Sequence, residues 1–173
     1  MGAHEVLFAV DASLVENPRQ DIRRAVQALE TLDHHTMRDV ALCLGKDGYV
    51  LEGVLVLYGV PSAVSGAHGI EVSENELYRP TCLLMPEQVK AMHHALAALD
   101  ARLVPMPSED GYVDDERLEI DATLRAVAKQ LEALGFAPSS FSQMDELARM
   151  LDALRAFYAR AAQRSEAVVC LVL

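Results

Sequence analysis

At 173 residues the chain has room for one well-buried domain and is short for two. An apolar fraction of 51% and a charged fraction of 24% exclude disorder on the scale of the whole chain. Lys and Arg number 15 against 26 Asp and Glu, and the resulting formal charge of −11 repels nucleic acid phosphate, which leaves acidity for solubility or a basic protein partner.

Residues Glu5 to Val10 are mostly apolar and β-prone and end at Asp11 and Ser13, which predicts a short opening strand. Asn17 followed by Pro18 starts a helix, since Asn caps free amides and Pro suits the first helical position. Ile22, Val26, Leu29 and Leu32 then fall on one face of it. After a turn at Asp33 and His34, the spacing of Met37, Val40, Ala41 and Leu44 predicts a second, shorter helix over Thr36 to Leu44, with Gly45 just past its end. Lys46-Asp47-Gly48 is a turn signal, and the continuous apolar run from Tyr49 to Val60 predicts a strand buried on both faces.

Pro61 to Gly69 is small, uncharged apart from His68 and rich in Gly and Ser, hence a loop lying over the body of the domain. Ile70 to Val72 and Tyr78 to Met85 are further strand candidates, and Pro80 confines the latter to an edge or to its first residues. Pro86-Glu87 opens a helix whose Val89, Met92, His93, Leu96 and Leu99 keep the helical period. A surface loop over Val104 to Tyr112 follows, then a helix from Glu116 or Glu119 to Leu134 that stops at Gly135. Ser142-Gln143-Met144-Asp145 has the form of a capping box and starts a long amphipathic helix to Arg164, with Met144, Leu147, Leu151, Leu154, Tyr158 and Ala161 inward.

The closing Ala167 to Leu173 is too apolar for an exposed tail and is expected inside the sheet, beside the apolar strand around Val54. The order β-α-α-β-β-β-α-α-α-β lacks the alternation of a doubly wound fold. It predicts a single α+β domain over residues 1–173, with helices packed on a mixed or antiparallel sheet and a buried C-terminal strand.

No apolar run reaches the roughly 18 residues of a membrane span, and His4 and Glu5 stand where a signal peptide carries Lys or Arg, so a cytoplasmic location is expected. Cys43, Cys82 and Cys170 lie far apart in sequence among apolar neighbours and read as three reduced core thiols. His34-His35 and His93-His94 invite a metal reading, but neighbouring helical residues point about 100° apart and no ligand spacing accompanies them, so no metal or cofactor is assigned. No nucleophile elbow, Walker lysine or Rossmann spacing is present, and no catalytic residue is assigned.

The most distinctive local feature is the acidic run Glu109, Asp110, Asp114, Asp115, Glu116, Glu119 and Asp121, relieved only by Arg117. It reads either as a solvated face or as a docking edge for a basic partner, made by Glu109, Asp110, Asp114, Asp115 and Glu116 with Tyr112 as an amphipathic anchor.

Three segments carry a resemblance. Leu154-Arg155-Ala156-Phe157-Tyr158-Ala159-Arg160-Ala161-Ala162 ahead of the last strand, Leu83-Leu84-Met85-Pro86-Glu87-Gln88-Val89 leading to Ala95-Leu96, and Leu32-Asp33-His34-His35 ahead of Leu42 to Gly45 together resemble the YfbM-like family of small bacterial proteins. The chain departs from that family's pattern in having no Trp and in placing His34 where a Lys stands. The resemblance implies an α+β fold and, through association with bacterial interference loci, an immunity protein that neutralises a basic antibacterial toxin. Two other readings stay open. One is a small-molecule enzyme with a site around His34, His35 and the loop from Ser62 to His68, and the other is a structural homo-oligomer joined through a strand edge near Tyr78.

Overall fold

The computed structural model of the chain describes residues 5–15, 39–45, 48–60, 63–73, 81–99 and 143–172. Within them lie strands β1 (Glu5–Val10), β2 (Ala41–Gly45), β3 (Ile70–Ser73), β4 (Thr81–Leu84) and β5 (Ala167–Val172). The helices are α1 (Gly48–Leu57), α2 (Pro86–Ala98) and α3 (Gln143–Arg164), and a 3-10 turn covers Ala12–Val15. The expected helices at residues 17–32 and 116–134 fall outside the described residues, as does the loop between Val104 and Tyr112.

The strands form one antiparallel sheet in the order β2-β1-β5-β4-β3. The α+β class and the buried C-terminal strand follow the sequence reading, and the sheet is antiparallel at every pairing. β5 sits at its centre, between β1 and β4, and its residues Ala167 to Leu171 are all buried. Val54 is not its neighbour, because the run Tyr49 to Val60 is not a strand. Residues Gly48–Leu57 form helix α1, and Leu51, Val54 and Leu55 pack into the core from that helix.

Conversely, the helix expected over Thr36 to Leu44 gives way to β2 from Ala41 onward. There Leu42 and Ala41 pair with Leu7 and Phe8, and Cys43 pairs with Val6. Both corrections have one cause: short apolar runs fit either period, and the choice is made by which segment lies beside the open edge of β1. The register slips between Glu5 and Val6, where one extra residue of β2 forms a bulge.

Alternation along the strands divides the core in two. On one face Leu7, Ala9, Leu84, Val168 and Cys170 meet the helices, chiefly Leu51, Val54 and Leu55 of α1, Val89 and Leu96 of α2, and Leu147, Leu151, Leu154, Tyr158 and Ala161 of α3. From Leu147 to Ala161 the α3 stripe is the predicted one, widened by buried Phe157, whose ring stands edge-on to Tyr158 at 5.7 Å. On the other face Val6, Phe8, Val10, Val15, Leu83, Ala167, Val169 and Leu171 form a second cluster.

Local chemistry fixes the ends of these elements. Asp11 Oδ1 accepts from the Ser13 amide (2.9 Å) and hydroxyl (2.7 Å), which turns the chain after β1 and holds the Asp11 carboxyl below its usual pKa. α2 starts at Pro86, where Gln88 Oε1 accepts from the Met85 amide at 2.9 Å. Its far end is held by Arg155 of α3, whose guanidinium donates to Leu96 O (3.2 Å) and Leu99 O (2.8 Å), a cation on the negative end of a helix.

α1 and α3 end in the same hydrogen-bonded motif. Val60 N donates to Leu55 O and Gly59 N to Val56 O after α1, while Glu166 N donates to Ala161 O and Ser165 N to Ala162 O after α3. The left-handed residue is Gly59 (φ 77°) in the first and Ser165 (φ 54°) in the second. The latter turn delivers the chain directly from α3 into β5.

Candidate functional site

The turn region at residues 63–69 connects α1 to β3 and lies across the helix-covered face of the central strands. Its sequence supplies few apolar anchors beyond buried Ala63 and Val64, so side chains from three helices hold it instead. Glu52 of α1 is the single charge in the run from Tyr49 to Val60. Its carboxylate accepts from the Val64 amide at 2.8 Å and from the Ser65 hydroxyl at 2.7 Å. Tyr158 of α3 donates its hydroxyl to Ala63 O at 2.7 Å, and Gln88 of α2 donates its amide to His68 O at 2.8 Å. Gly69 N closes the turn onto Gly66 O at 2.7 Å.

Beneath the turn are two thiols. Cys82 of β4 and Cys170 of β5 stand directly opposite one another in the antiparallel register, both buried and neither in a disulfide. Gly66, at φ 64°, lies immediately above them. A Cβ at that position would sit 2.9 Å from Cys170 Sγ and 3.1 Å from the Cβ atoms of both cysteines. A side chain there is opposed both by the left-handed backbone and by space, since the two cysteines would have to give way. Burial pushes the Tyr158 hydroxyl well above its ordinary pKa, with the neighbouring Cys170 and Glu52 adding to the effect. Burial likewise pushes the Cys170 thiol far up, reinforced by Cys82 and Glu52, and raises that of Cys82, with Glu71 adding to it. Both thiols are therefore held protonated, and neither is an activated nucleophile while the turn is closed.

The third cysteine, Cys43, was expected in the core and is instead exposed, because β2 is an edge strand.

On its outer side the turn borders a cavity of about 250 Å³ between α1's C-terminal turn and α2. Gly59, Val60, His68, Leu84, Gln88 and Met92 are among its lining residues. The walls are mainly apolar. The polar groups at the rim are His68, which is exposed, and Gln88, whose amide is already engaged by the Met85 amide and His68 O.

A buried carboxyl lies at the other end of α1. Glu5 of β1 is buried on the helix-covered face, and its Oε2 packs against Gly48, so that a side chain there would have to displace the carboxylate.

The predicted docking residues Glu109, Asp110, Tyr112, Asp114, Asp115 and Glu116 lie outside the described residues, as do His34, His35, Ser62 and the edge near Tyr78. Of the alternative His-and-loop site, the structure brings Ser65 and His68 to the turn, but on different sides. Ser65 is engaged by Glu52 and His68 borders the cavity. His93 and His94 lie on α2 with ring centroids 5.5 Å apart, half-buried and exposed respectively. Among the described residues no three His, Cys, Asp or Glu side chains are grouped so as to hold a metal ion, and no helix is long and apolar enough to cross a membrane.

Sequence reasoning missed Glu52 and Gly66 as parts of one arrangement. Two signals were available: a lone Glu in an apolar run needs a partner, and an inward tyrosine such as Tyr158 needs an acceptor for its hydroxyl. Neither signal identifies the acceptor or donor, because Ala63 and Val64 supply backbone groups.

Comparison with known proteins gives no match. No family model fits the chain, and neither a curated protein nor a solved structure is found to be similar to it.

Proposed function

We propose that this protein is a binding module for a basic protein partner, and specifically an immunity protein that occludes an antibacterial toxin. The observation that carries the reading is the charge of −11, concentrated in the run from Glu109 to Asp121. The resemblance to YfbM-like proteins points the same way through their association with interference loci.

Replacing Asp110, Asp114, Asp115 and Glu116 with Asn or Gln tests the docking edge. Stability should change by no more than roughly 1 kcal/mol per charge pair, since solvated surface charges contribute little. Association with a partner recovered from the products of adjacent genes should slow, and its salt dependence should flatten. An unchanged association rate at low salt removes this edge from the interface, and failure to recover any stoichiometric partner at low and moderate salt sinks the binding reading as a whole.

The cavity favours a second reading, a small-molecule site. Its volume of about 250 Å³ lies just below the roughly 300–1,000 Å³ usual for ligand pockets, and its apolar walls with His68 at the rim suit a compact ring bearing one polar group. A metabolite panel that produces no melting shift, together with unperturbed His68 ring resonances, would leave that reading without support.

A further inference from the structure

We propose that Cys82 and Cys170 are a redox modification site, closing to a cross-strand disulfide when the 63–69 turn opens. Three observations on separate elements converge on it. The two residues are direct register partners on neighbouring strands, so their side chains share one face of the sheet. Both Cβ atoms lie within 3.1 Å of the point where a Cβ on Gly66 would stand, which places the two side chains side by side beneath one residue. Neither is in a disulfide, and the sulfur of Cys170 is aimed at the same point, 2.9 Å away.

The distances between directly opposed residues suit the bond, with some strain. Such residues have Cα atoms about 4.5–5.5 Å apart, inside the roughly 4.4–6.8 Å that a disulfide spans. Their Cβ atoms stand about 4.5–5.5 Å apart, whereas a disulfide holds them at roughly 3.5–4.5 Å. Closure therefore draws β4 and β5 together locally. A bond made under that strain is readily reduced again, the property of a reversible site rather than of a structural staple.

Access is governed by the turn. In the closed arrangement both thiols are protonated and covered, and the thiolate is the reacting species. Releasing Glu52, Tyr158 or Gln88 from the turn backbone admits water, relieves the burial that opposes ionisation and exposes the sulfurs. Hydrogen peroxide is the oxidant. One thiol, as thiolate, attacks a peroxide oxygen, the O–O bond breaks, and a sulfenic acid forms as the departing hydroxide takes up a proton and leaves as water. The second thiol, giving up its proton, attacks the sulfenic sulfur. The S–S bond forms, the S–O bond breaks, and a second water leaves. Two thiol hydrogens and two electrons have then passed to the peroxide. Because the same turn carries His68 at the cavity rim, the state of the pair is expressed in one wall of the cavity.

The test uses the full chain with Cys43→Ser, which removes the exposed thiol without touching the core. Folded protein is treated with hydrogen peroxide, alkylated in denaturant, and followed by intact mass and non-reducing peptide mapping. The expected result is loss of the mass of two hydrogen atoms, a Cys82–Cys170 linked peptide, and full reversal by dithiothreitol. Two thiols that remain alkylatable, overoxidation of one without a linked peptide, or pairing that appears only in denaturant would each overturn the site. Adding Glu52→Gln, in a variant shown by circular dichroism to fold, should raise the rate of linkage by roughly tenfold, the effect of weakening a charge-assisted hydrogen bond that opposes local opening. An unchanged rate would overturn the turn as the gate.

Discussion

The two faces of the sheet are built on different principles. The face beneath the helices mixes apolar packing with polar groups that each have a specific task. Tyr158 holds Ala63 O, Glu52 holds Val64 and Ser65, and Glu5 lies against the first residue of α1. The opposite face is a cluster of aliphatic side chains with Phe8, and among the described residues it holds no buried polar side chain. Apolar packing accepts volume-conserving exchanges at small cost, whereas a buried hydrogen bond fails completely when either partner is lost. Among the described residues, the buried polar contacts that fix one segment against another therefore lie on the helix-covered face.

The most disruptive change is one that strikes both faces together. Deleting residues 168–173 removes Val168 and Cys170 from one cluster and Val169 and Leu171 from the other. At about 1.5–3 kcal/mol per buried aliphatic side chain, the loss consumes a typical stability of roughly 5–15 kcal/mol and strips two strands of their central partner. The truncated chain should be recovered only as insoluble material. A soluble truncation with a cooperative melt would show that the two faces do not depend on β5.

A paired glycine substitution separates backbone strain from crowding. Gly59→Ala introduces a side chain at φ 77° into open space, so its cost is that of the left-handed backbone, about 1–2 kcal/mol. Gly66→Ala carries a similar backbone cost and adds an overlap with Cys82 and Cys170, worth roughly 1–3 kcal/mol more. Urea denaturation of the two variants should rank Gly66→Ala as the weaker protein. Equal midpoints would mean that the turn moves off the cysteines without penalty.

The smallest expected effects contrast one polar with one apolar change. Tyr158→Phe leaves Ala63 O without its donor inside the core and should cost about 1–3 kcal/mol, whereas Leu83→Met on the opposite face conserves volume and should cost under about 1.5 kcal/mol. The tyrosine also has a pH signature. Its pKa is raised above the ordinary 10.0 in the folded state, as that of Cys170 is above 9.0, so the folded chain keeps these protons when the unfolded chain has lost them. Stability should accordingly be level through neutral pH and fall as pH rises past about 9 and then 10, the unfolded chain binding fewer protons. Tyr158→Phe should flatten the fall above pH 10 and leave the portion due to Cys170. An identical alkaline profile in wild type and variant would show that the phenol does not contribute.

Much of this architecture was legible in the sequence where a pattern persists for many residues or where punctuation is strong. α3 declares itself through a stripe from Leu147 to Ala161, α2 through Pro86 and its helical period, and β1 and β5 through apolar runs bounded by Asp11 on one side and Ser165-Glu166 on the other. Net charge and the acidic run from Glu109 to Asp121 are likewise properties of the sequence itself. Tertiary structure decided the rest. The segment Gly48–Leu57, nearly all apolar, satisfies a buried strand and a buried helix equally, and Ala41–Gly45 satisfies a short helix and an edge strand equally. Their fates were exchanged because the places beside β1 were filled by β5 and β2, which left α1 to cover the face. The pairing of Cys82 with Cys170 across 88 positions, and the grip of Glu52 and Tyr158 on a turn whose partners are backbone atoms, were beyond local pattern altogether. Periodicity reports which face of an element is buried, and only packing decides what that face meets.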